Sequence, residues 1–343
     1  MDLLPTPEQE EIVRSAASFL AKELPITRLR ELLDGPSAID RAVWARAAAL
    51  GWFALGLAED VGGVGYGLAE EVLVFREIGR ALAPGPMVAT VLAARLAGRA
   101  GKSELATSIT AGDTVVGLGV PRPGASVEIG DQVSAEIDLL DGAWADLVLV
   151  ADPPGAALIA VSDLVDVEEI SCIDEATRLA RGRAEVVTAA AFVPTEAEDL
   201  YRRGAVLTSA MLVGIAEATR DQATDFAKSR VQFGKPIGSY QAIKHSCADM
   251  AIRSEAAVSQ LFFAALAVDT DRPDAAFQAS AAKIVASDGA RRNAAANVQI
   301  HGGMGFTFEQ DAHLYAKRAQ VLEQAFGPTA YHLALALENG PES

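Results

Sequence analysis

Hydrophobic positions change their spacing twice along the chain. From Thr6 to about Leu105, and again from Thr195 onward, apolar residues recur at the three- and four-residue intervals of amphipathic helices. Between about Gly112 and Val193 the pattern shortens to apolar runs of four to eight residues bounded by turn residues, which predicts strands. We therefore predict a multidomain α+β protein with an N-terminal helical domain (1–110), a middle antiparallel β domain (111–193) and a C-terminal four-helix bundle (194–343).

The same pattern places individual elements. Thr6 is a good N-cap residue, and Pro7 and Glu8 suit the first turn of a helix, so the first helix is predicted to begin there. The predicted strands are Thr114–Val120, Val133–Leu139, Ala145–Val150, Ala156–Val161 and Glu185–Val187. The predicted bundle helices are Asp199–Arg230, Tyr240–Thr270, Pro273–Gly302 and a shorter one after Glu309.

Composition excludes several classes of protein. The 29 basic and 46 acidic side chains give a net charge of −17, which repels the phosphate backbone of nucleic acids. No uninterrupted apolar run approaches the roughly eighteen residues that cross a bilayer, and the acidic N-terminus does not resemble a secretory signal. Cys172 and Cys247 are too few for a disulfide framework. We therefore expect a cytoplasmic protein without nucleic-acid or membrane partners.

Isolated candidates for chemistry have simpler structural interpretations. Gly117 and Gly119 follow a predicted strand, but they lack the third glycine and the following helix of a dinucleotide-binding motif. Neither cysteine lies in a motif typical of a catalytic thiol. The histidines lack the paired spacing of metal ligands, so no metal site is predicted at His245, His301, His313 or His332.

One segment of the predicted bundle combines a cation with an amide. Arg230 closes one predicted helix and Gln241 opens the next, with Phe233 and Tyr240 between them. A guanidinium and an amide at one exposed corner suit an anionic diphosphate. The same residues also fit an ordinary helix hairpin, in which Arg230 meets the dipole at the helix C-terminus and Phe233 packs on the turn. The residues alone leave both interpretations open.

A second segment is unusually rich in glycine. After Gln299 the chain reads Ile-His-Gly-Gly-Met-Gly, with glycines at positions 302, 303 and 305. A helix C-terminus requires only one such residue, so the sequence predicts that another group approaches this backbone closely.

Together, and in this order, the two segments resemble the corresponding parts of the acyl-CoA dehydrogenase family. Further similarity lies at Trp44–Trp52, Glu59–Gly63 and Glu77–Pro84, so the resemblance extends over essentially the whole chain. It implies the family's fold, an N-terminal helical domain followed by a β domain and a four-helix bundle. It also implies FAD as cofactor, an acyl-CoA thioester as substrate, an oligomeric enzyme and an electron-transfer flavoprotein as acceptor.

The resemblance also assigns cofactor-binding residues. In the family, the arginine-to-glutamine corner and the glycine turn contact the diphosphate and adenosine of an FAD that is seated in a neighbouring subunit. The matching positions in this chain are Arg230, Phe233, Tyr240, Gln241, Gln299, Gly302 and Gly303.

The chain departs from the family at the catalytic base. In the family reaction a glutamate removes the proton next to the thioester carbonyl, and hydride leaves the neighbouring carbon for the flavin. The usual position of this glutamate aligns with Phe326, and the alternative position, near the start of the first bundle helix, aligns with Gly204 and Ala205. None of these side chains can accept a proton, so no catalytic residue is predicted in this chain.

The β domain departs from the family as well. The family's flavin-binding turn is reduced to the segment Pro121–Glu128, and its Trp-Ile-Thr strand is absent between Val133 and Ala145. Trp144 is interpreted as a packing residue instead of a wall of the flavin site.

These losses favour a non-catalytic subunit of an α2β2 acyl-CoA dehydrogenase, resembling the paired enzymes that act on CoA thioesters of steroids or other bulky side chains in actinobacteria. The catalytic partner would be a homologous chain. Two alternatives remain: an autonomous homo-oligomeric flavoenzyme with a displaced base, for which Glu323 is the best candidate, and a purely structural partner that does not touch FAD.

Overall fold

The computed structural model describes residues 5–33, 35, 39–122, 124–152, 155–194 and 197–340. Its helices and strands follow the predicted order, helices first, then a sheet, then long helices, and confirm the predicted fold class. The chain divides into two compact units, one formed by Met1–Ile26, Val72–Ala83 and Ala205–Ser343, the other by Thr27–Glu71 and Pro84–Gly204. The boundaries of the three sequence-defined domains stay a prediction.

Six helices precede the sheet in the part of the chain that the structure describes. They are α1 (Pro7–Glu23), α2 (Ile26–Leu33), α3 (Arg41–Ala49), α4 (Leu68–Arg80), α5 (Met87–Arg99) and α6 (Ser103–Thr110). The predicted start of α1 is confirmed. The Thr6 hydroxyl accepts a hydrogen bond from the Gln9 amide at 3.2 Å, and the Thr6 amide donates to Gln9 Oε1 at 3.0 Å. This reciprocal capping satisfies two groups that would otherwise lack partners.

Eight strands form the described sheet of the β domain. They are β1 (Val116–Pro121), β2 (Val127–Ile129), β3 (Gln132–Leu140), β4 (Leu147–Asp152), β5 (Gly155–Ala160), β6 (Val165–Ile170), β7 (Leu179–Thr188) and β8 (Ala191–Val193). Their order is β6-β7-β3-β1-β4-β5-β8, with β2 beside β3. In β3, alternate residues are buried and the next ones face outward, as expected for a strand with one face on the core.

The prediction of a purely antiparallel β domain is wrong at one pair. β1 and β4 are parallel, with Val116 opposite Leu147, whereas the other strand pairs described in this sheet are antiparallel. The reason is the connection. β3 runs antiparallel to β1 on one side, and the chain then crosses to the other side of β1, where β4 again runs in the direction of β1. Strand spacing along a sequence does not reveal such a crossover.

Five described helices follow the sheet. They are α7 (Ala197–Ser229), α8 (Gln241–Asp269), α9 (Ala275–His301), α10 (Ala312–Gln324) and α11 (Thr329–Glu338), with a two-stranded hairpin of β9 (Val231–Gln232) and β10 (Lys235–Pro236) between α7 and α8. α9 packs against α8, α10 and α11. The sequence pattern does not predict α11, because this helix is short and begins directly after Gly327 and Pro328, which are typical of a helix end.

One helix of the bundle is unusually apolar. By length and composition α8 could cross a membrane, with a mean hydropathy of 1.3 over an 18-residue window, of which 39% is buried. A search of the sequence for uninterrupted apolar runs misses this helix, because polar residues are scattered along it. A single helix of this kind is weak evidence for a membrane span, since the core helices of bundles have the same composition.

α4 and α7 approach closely through glycines. A Cβ on Gly214 would clash with the Arg76 carbonyl oxygen, and a Cβ on Gly79 would clash with the Met211 carbonyl oxygen. This close packing brings Arg76 onto the buried Glu217, which is 5% exposed. Arg76 Nε and Nη2 donate to the two carboxylate oxygens at 2.5 and 2.8 Å. The bidentate pair satisfies a charge that would be costly to bury alone.

Replacing Glu217 with Gln should therefore destabilise the protein by about 3 kcal/mol, because the largely buried Arg76 guanidinium would lose its counter-ion. Chemical denaturation measures this. The matched control is Glu11→Gln, which breaks the exposed pair with Arg14 and should cost under about 1 kcal/mol. Equal effects of the two substitutions would show that the buried pair is not a stabilising element.

Candidate cofactor-binding site

The corner between α7 and α8 is a tight hairpin. β9 and β10 pair antiparallel, and Phe233 and Gly234 turn the chain with φ values of +53° and +80°. A phenylalanine rarely adopts a positive φ, and its side chain is 91% exposed, so packing within this chain does not explain its conformation. The hairpin is held by the Ile237 amide, which donates to the Arg230 carbonyl oxygen at 2.8 Å.

The glycine turn ends α9 in a conformation that glycine favours. Gly302 has φ +63° and ψ −141°. A Cβ on Gly305 would lie 2.6 Å from the Val298 carbonyl oxygen, so that glycine is required by packing. At Gly302 and Gly303 the opposite holds, since a Cβ would meet nothing within 4 Å. The two glycines therefore leave open space beside an exposed main chain, as expected for a backbone that another molecule approaches.

The hairpin and the glycine turn meet across one cavity of about 520 Å³. Beside them α7 and α9 are joined by a stack of the Phe226 and His301 rings, with centroids 4.1 Å apart. The His301 ring is oriented by its Nδ1, which lies 2.9 Å from the Asn297 carbonyl oxygen. The cavity is lined by Phe226, Arg230, Gln232, Phe233, Ile237, Tyr240, Ile243, Gln299, Ile300, His301, Gly302, Gly303 and Met304.

Six of the seven residues assigned by resemblance line this cavity. Gln241 does not; it is exposed at the first position of α8. The assigned residues that line the cavity are Arg230, Phe233, Tyr240, Gln299, Gly302 and Gly303.

Two contacts hold the Tyr240 ring in place. Its hydroxyl donates to the Gln232 carbonyl oxygen at 3.3 Å, and Lys235 Nζ lies 4.4 Å from the centre of the ring.

The sequence alone does not single out Phe226 and His301 for this site. Phe226 lies one helical turn before Arg230, on the same face of the chain leaving α7, and that spacing is a signal that could indicate it. For His301 the sequence favours a packing or surface residue, because only the fold brings it against Phe226.

The cavity differs in charge from the rest of the chain. The protein carries a net charge of −17, yet no carboxylate lines the cavity in the part of the chain that the structure describes. Arg230 is exposed and, among the described residues, has no ion-pair partner. A free guanidinium, the Gln299 amide and the main chain at Gly302 and Gly303 form a donor set that suits an anion such as a diphosphate.

Neither predicted base position carries a carboxylate. Phe326 follows α10, has φ +53° and is only 4% exposed. Gly204 and Ala205 are buried within α7. None of these three side chains can accept a proton.

Glu323, the alternative base, is held in an ion pair. It is 7% exposed, and its carboxylate accepts hydrogen bonds from Arg291 Nη1 at 3.0 and 3.1 Å and from Thr329 Oγ1 at 2.8 Å. Its carboxylate oxygens are thus already occupied by structural partners. This geometry favours the interpretation of Glu323 as a stabilising residue.

Other candidates show no catalytic arrangement. Arg122 lies in the segment that resembles a shortened form of the family's flavin-binding turn, and its Nη1 pairs with Glu136 Oε2 at 2.9 Å. Trp144 is 39% exposed and lines a separate cavity of about 350 Å³ in the β domain with Cys172 and Arg178. Within the described residues, no group of three or more His, Cys, Asp or Glu side chains could hold a metal ion.

Comparisons with known proteins agree with this fold. Residues 6–109 match the family of acyl-CoA dehydrogenase N-terminal domains, and residues 198–340 match the family of acyl-CoA dehydrogenase C-terminal domains. The acyl-CoA dehydrogenase IpdE2 of Mycobacterium tuberculosis is 32% identical over 317 residues, which cover 91% of each chain.

Solved structures show the same fold. A chain of the ChsE4–ChsE5 complex from Mycobacterium tuberculosis superimposes with a TM-score of 0.89 at 24% identity and covers 100% of both chains. A variant of the steroid ACAD Tcur3481–Tcur3483 gives a TM-score of 0.86 at 23% identity and covers 97% of each chain.

The chain belongs to the acyl-CoA dehydrogenase family. Its cofactor is therefore FAD, and its chemistry is oxidoreduction at a carbon–carbon bond. The cavity between the hairpin and the glycine turn is compatible with part of this cofactor. It has a volume of about 520 Å³, and none of the described residues that line it is a carboxylate. Its hydrogen-bond donors suit phosphate oxygens.

Replacing Glu323 with Gln should lower the unfolding free energy by about 1.5 kcal/mol, because the charge-assisted hydrogen bonds from Arg291 weaken. Turnover by the assembled enzyme should not change, because the carboxylate serves the fold. Steady-state kinetics and denaturation measure the two effects, with Glu338→Gln on the exposed face of α11 as the control. Loss of turnover with unchanged stability would instead identify Glu323 as the base.

Proposed function

We propose that this chain is the non-catalytic subunit of a two-component, FAD-dependent acyl-CoA dehydrogenase that introduces an α,β double bond into an acyl-CoA thioester. The main supporting observation is Phe326, a buried phenylalanine at the position that the sequence resemblance aligns with the family's catalytic glutamate. The alternative base position is occupied by Gly204 and Ala205. A reaction that begins with removal of a carbon-bound proton needs a base, so the carboxylate must come from a homologous partner chain.

The relatives support an assembly of two different chains. One structural match that spans the whole chain is to a component of a complex named for two proteins, ChsE4 and ChsE5. The Tcur3481–Tcur3483 structure also carries a double designation, and it is described as a steroid ACAD. We therefore extend the proposal to an α2β2 enzyme that acts on a bulky acyl-CoA, such as the CoA thioester of a steroid side chain, in the cytoplasm.

The residues at the cavity would hold one part of the FAD. Arg230 and Gln299 would bind the diphosphate through charge-assisted and amide hydrogen bonds, and Gly302 and Gly303 would let the adenosine half approach the main chain.

Three further residues would complete this half of the site. Phe233, exposed and held in a positive-φ turn, would pack against the cofactor or the partner chain. Tyr240, fixed by Gln232 and Lys235, would form the adjoining wall. Gln241 would contact the same cofactor from the start of α8.

When bound, FAD supplies the acceptor for the hydride that leaves the β carbon of the substrate. The residues of this chain bind and orient; they do not move a proton. The partner's carboxylate would perform the deprotonation, and we propose electron-transfer flavoprotein as the oxidant that regenerates the enzyme.

Purified alone, the chain should be colourless and inactive toward acyl-CoA thioesters, because half of the cofactor site and the base would be missing. Co-expression with a homologous chain that retains the glutamate should give a yellow complex with dehydrogenase activity. Flavin absorbance measures the bound cofactor, a ferricenium-coupled assay measures the dehydrogenase activity, and light scattering measures the mass of the complex. A yellow, active homo-oligomer of this chain alone would contradict the proposal.

Replacing Arg230 with Ala should remove most of the flavin from the purified complex, because the diphosphate would lose its guanidinium donor. We expect FAD affinity to fall about tenfold or more, with assembly unchanged. Arg292→Ala is the matched control, since Arg292 is an exposed arginine of α9 that pairs locally with Asp288. Undiminished flavin content in the Arg230 variant would favour the purely structural partner.

A further inference from the structure

A fully buried lysine lies beneath the turn that carries Phe326. Lys283, on α9, has no exposed surface. Its Nζ donates to the carbonyl oxygens of Glu323, Ala325 and Gly327 at 3.1, 2.6 and 2.9 Å. All three acceptors belong to the end of α10 and the turn that follows it. A positive charge is favourable at this end of a helix, where carbonyl groups lack partners.

The number of acceptors matches an ammonium group. An ammonium carries three N–H donors, one for each carbonyl, whereas a neutral amine has two donors and would turn its lone pair toward the third oxygen. Burial opposes the charge and lowers the pKa of Lys283 to about 7. The nearby Glu323 carboxylate favours the charged form and opposes this shift in part. Because every N–H is engaged and no surface is exposed, Lys283 cannot serve as a proton carrier for substrate.

A histidine completes the set of bonds to the turn. His332 of α11 is 2% exposed, and its Nε2 lies 2.8 Å from the Phe326 carbonyl oxygen. Burial, together with the charge of Lys283, lowers the pKa of His332 to about 4, so the ring is neutral at physiological pH and donates through Nε2. Each carbonyl oxygen from Ala325 to Gly327 thus accepts a hydrogen bond from a buried side chain.

The backbone conformation of the turn is also unusual. Phe326 and Gly327 both have positive φ, +53° and +95°. A Cβ on Gly327 would lie 2.5 Å from the Tyr331 ring, so only glycine fits there. Held this way, the Phe326 side chain is 4% exposed. The turn has the properties of a built structural element instead of a mobile loop from which a catalytic group has merely been lost.

We propose that Lys283 is a positioning residue that locks the Ala325–Gly327 turn and keeps position 326 closed to substrate. The functional meaning of this lock rests on the proposed function. If this chain is the non-catalytic subunit, the lock explains why a carboxylate at position 326 would not by itself restore a base. The contacts that define the lock exist whether or not that function is correct.

Hydrogen exchange of the full-length chain, measured alone and in its complex at about pH 6, tests the lock. Replacing Lys283 with Met should speed exchange of the amides from Phe326 to His332 about tenfold or more, because three charge-assisted bonds are lost. Lys244→Met, at an exposed lysine of α8, is the matched control and should change nothing there. Unchanged exchange in the Lys283 variant would overturn the proposal.

A spectroscopic measurement tests the lock in the wild-type chain. Nitrogen-15 NMR of the wild-type chain should show one lysine ammonium with slowly exchanging protons, assignable to Lys283 by its absence from the Lys283→Met protein. If that variant fails to fold, the wild-type signal still decides, because exposed lysine ammonium protons exchange too fast to be seen under the same conditions. A wild-type spectrum without a protected ammonium would refute the lock.

The pH dependence of stability provides a readout that packing alone would not move. The pKa of Lys283 is lowered from 10.5 to about 7 in the folded chain, so between these values the unfolded chain holds the proton more tightly. The unfolding free energy of wild type, relative to Lys283→Met, should therefore rise from about pH 7 to about pH 10. Of the neighbouring groups, His332 stays neutral above about pH 4, and the Glu323 carboxylate lies 3.0 Å from Arg291 Nη1. A flat difference would mean that the folded chain holds this proton as tightly as the unfolded chain does, so that burial does not lower the pKa of Lys283.

The tests separate the lock from the proposed function. Dehydrogenase activity of the wild-type chain alone would refute the auxiliary role while exchange and NMR still report on the lock. Replacing Phe326 with Glu in the chain alone should yield no activity and reduced stability, because a carboxylate would be placed in a buried site. Activity gained by this substitution alone would show that position 326 is open, which contradicts the lock.

Discussion

The hydrogen bonds that hold the turn after α10 determine what position 326 can do. In this turn the main-chain oxygens face inward, where Lys283 and His332 donate to them, and the Phe326 side chain is buried. The sequence resemblance aligns this position with the family's catalytic glutamate. At this position the structure has a buried phenylalanine in a turn whose carbonyl oxygens are fully hydrogen-bonded, and this arrangement agrees with the proposed non-catalytic role.

The cavity at the other end of α9 has the opposite character. There the chain leaves groups unsatisfied: Arg230 has no ion-pair partner among the described residues, Phe233 is almost fully exposed in a strained turn, and Gly302 and Gly303 border open space. Exposed donors and an exposed aromatic ring in an otherwise well-packed bundle are typical of a surface that is completed by another molecule. The turn that packs on α9 near Lys283 is therefore closed by side chains of this chain, whereas the cavity at the C-terminal end of α9 is suited to an anionic ligand.

Sequence reasoning identifies the features that depend on local order along the chain. The cap at Thr6, the order of helices and strands, and the family resemblance at Arg230 and Gln299 all rest on neighbouring residues or short motifs, and the fold, family and cofactor are confirmed. The failures are non-local. The parallel pairing of β1 with β4 depends on a crossover, the Phe226–His301 stack depends on the meeting of two helices, and the role of Lys283 depends on a turn some forty residues further along the chain. A buried lysine has the same letter in a sequence as an exposed one, so only the fold could reveal it.

The most direct test of the account is a structure of the complex with a bound acyl-CoA, in which the carboxylate nearest to the α carbon of the thioester is identified. The account predicts that this carboxylate belongs to the partner chain and lies within about 3–4 Å of the α carbon, the reach of a proton transfer. A carboxylate of this chain at that distance, whether Glu323 or any other, would contradict it.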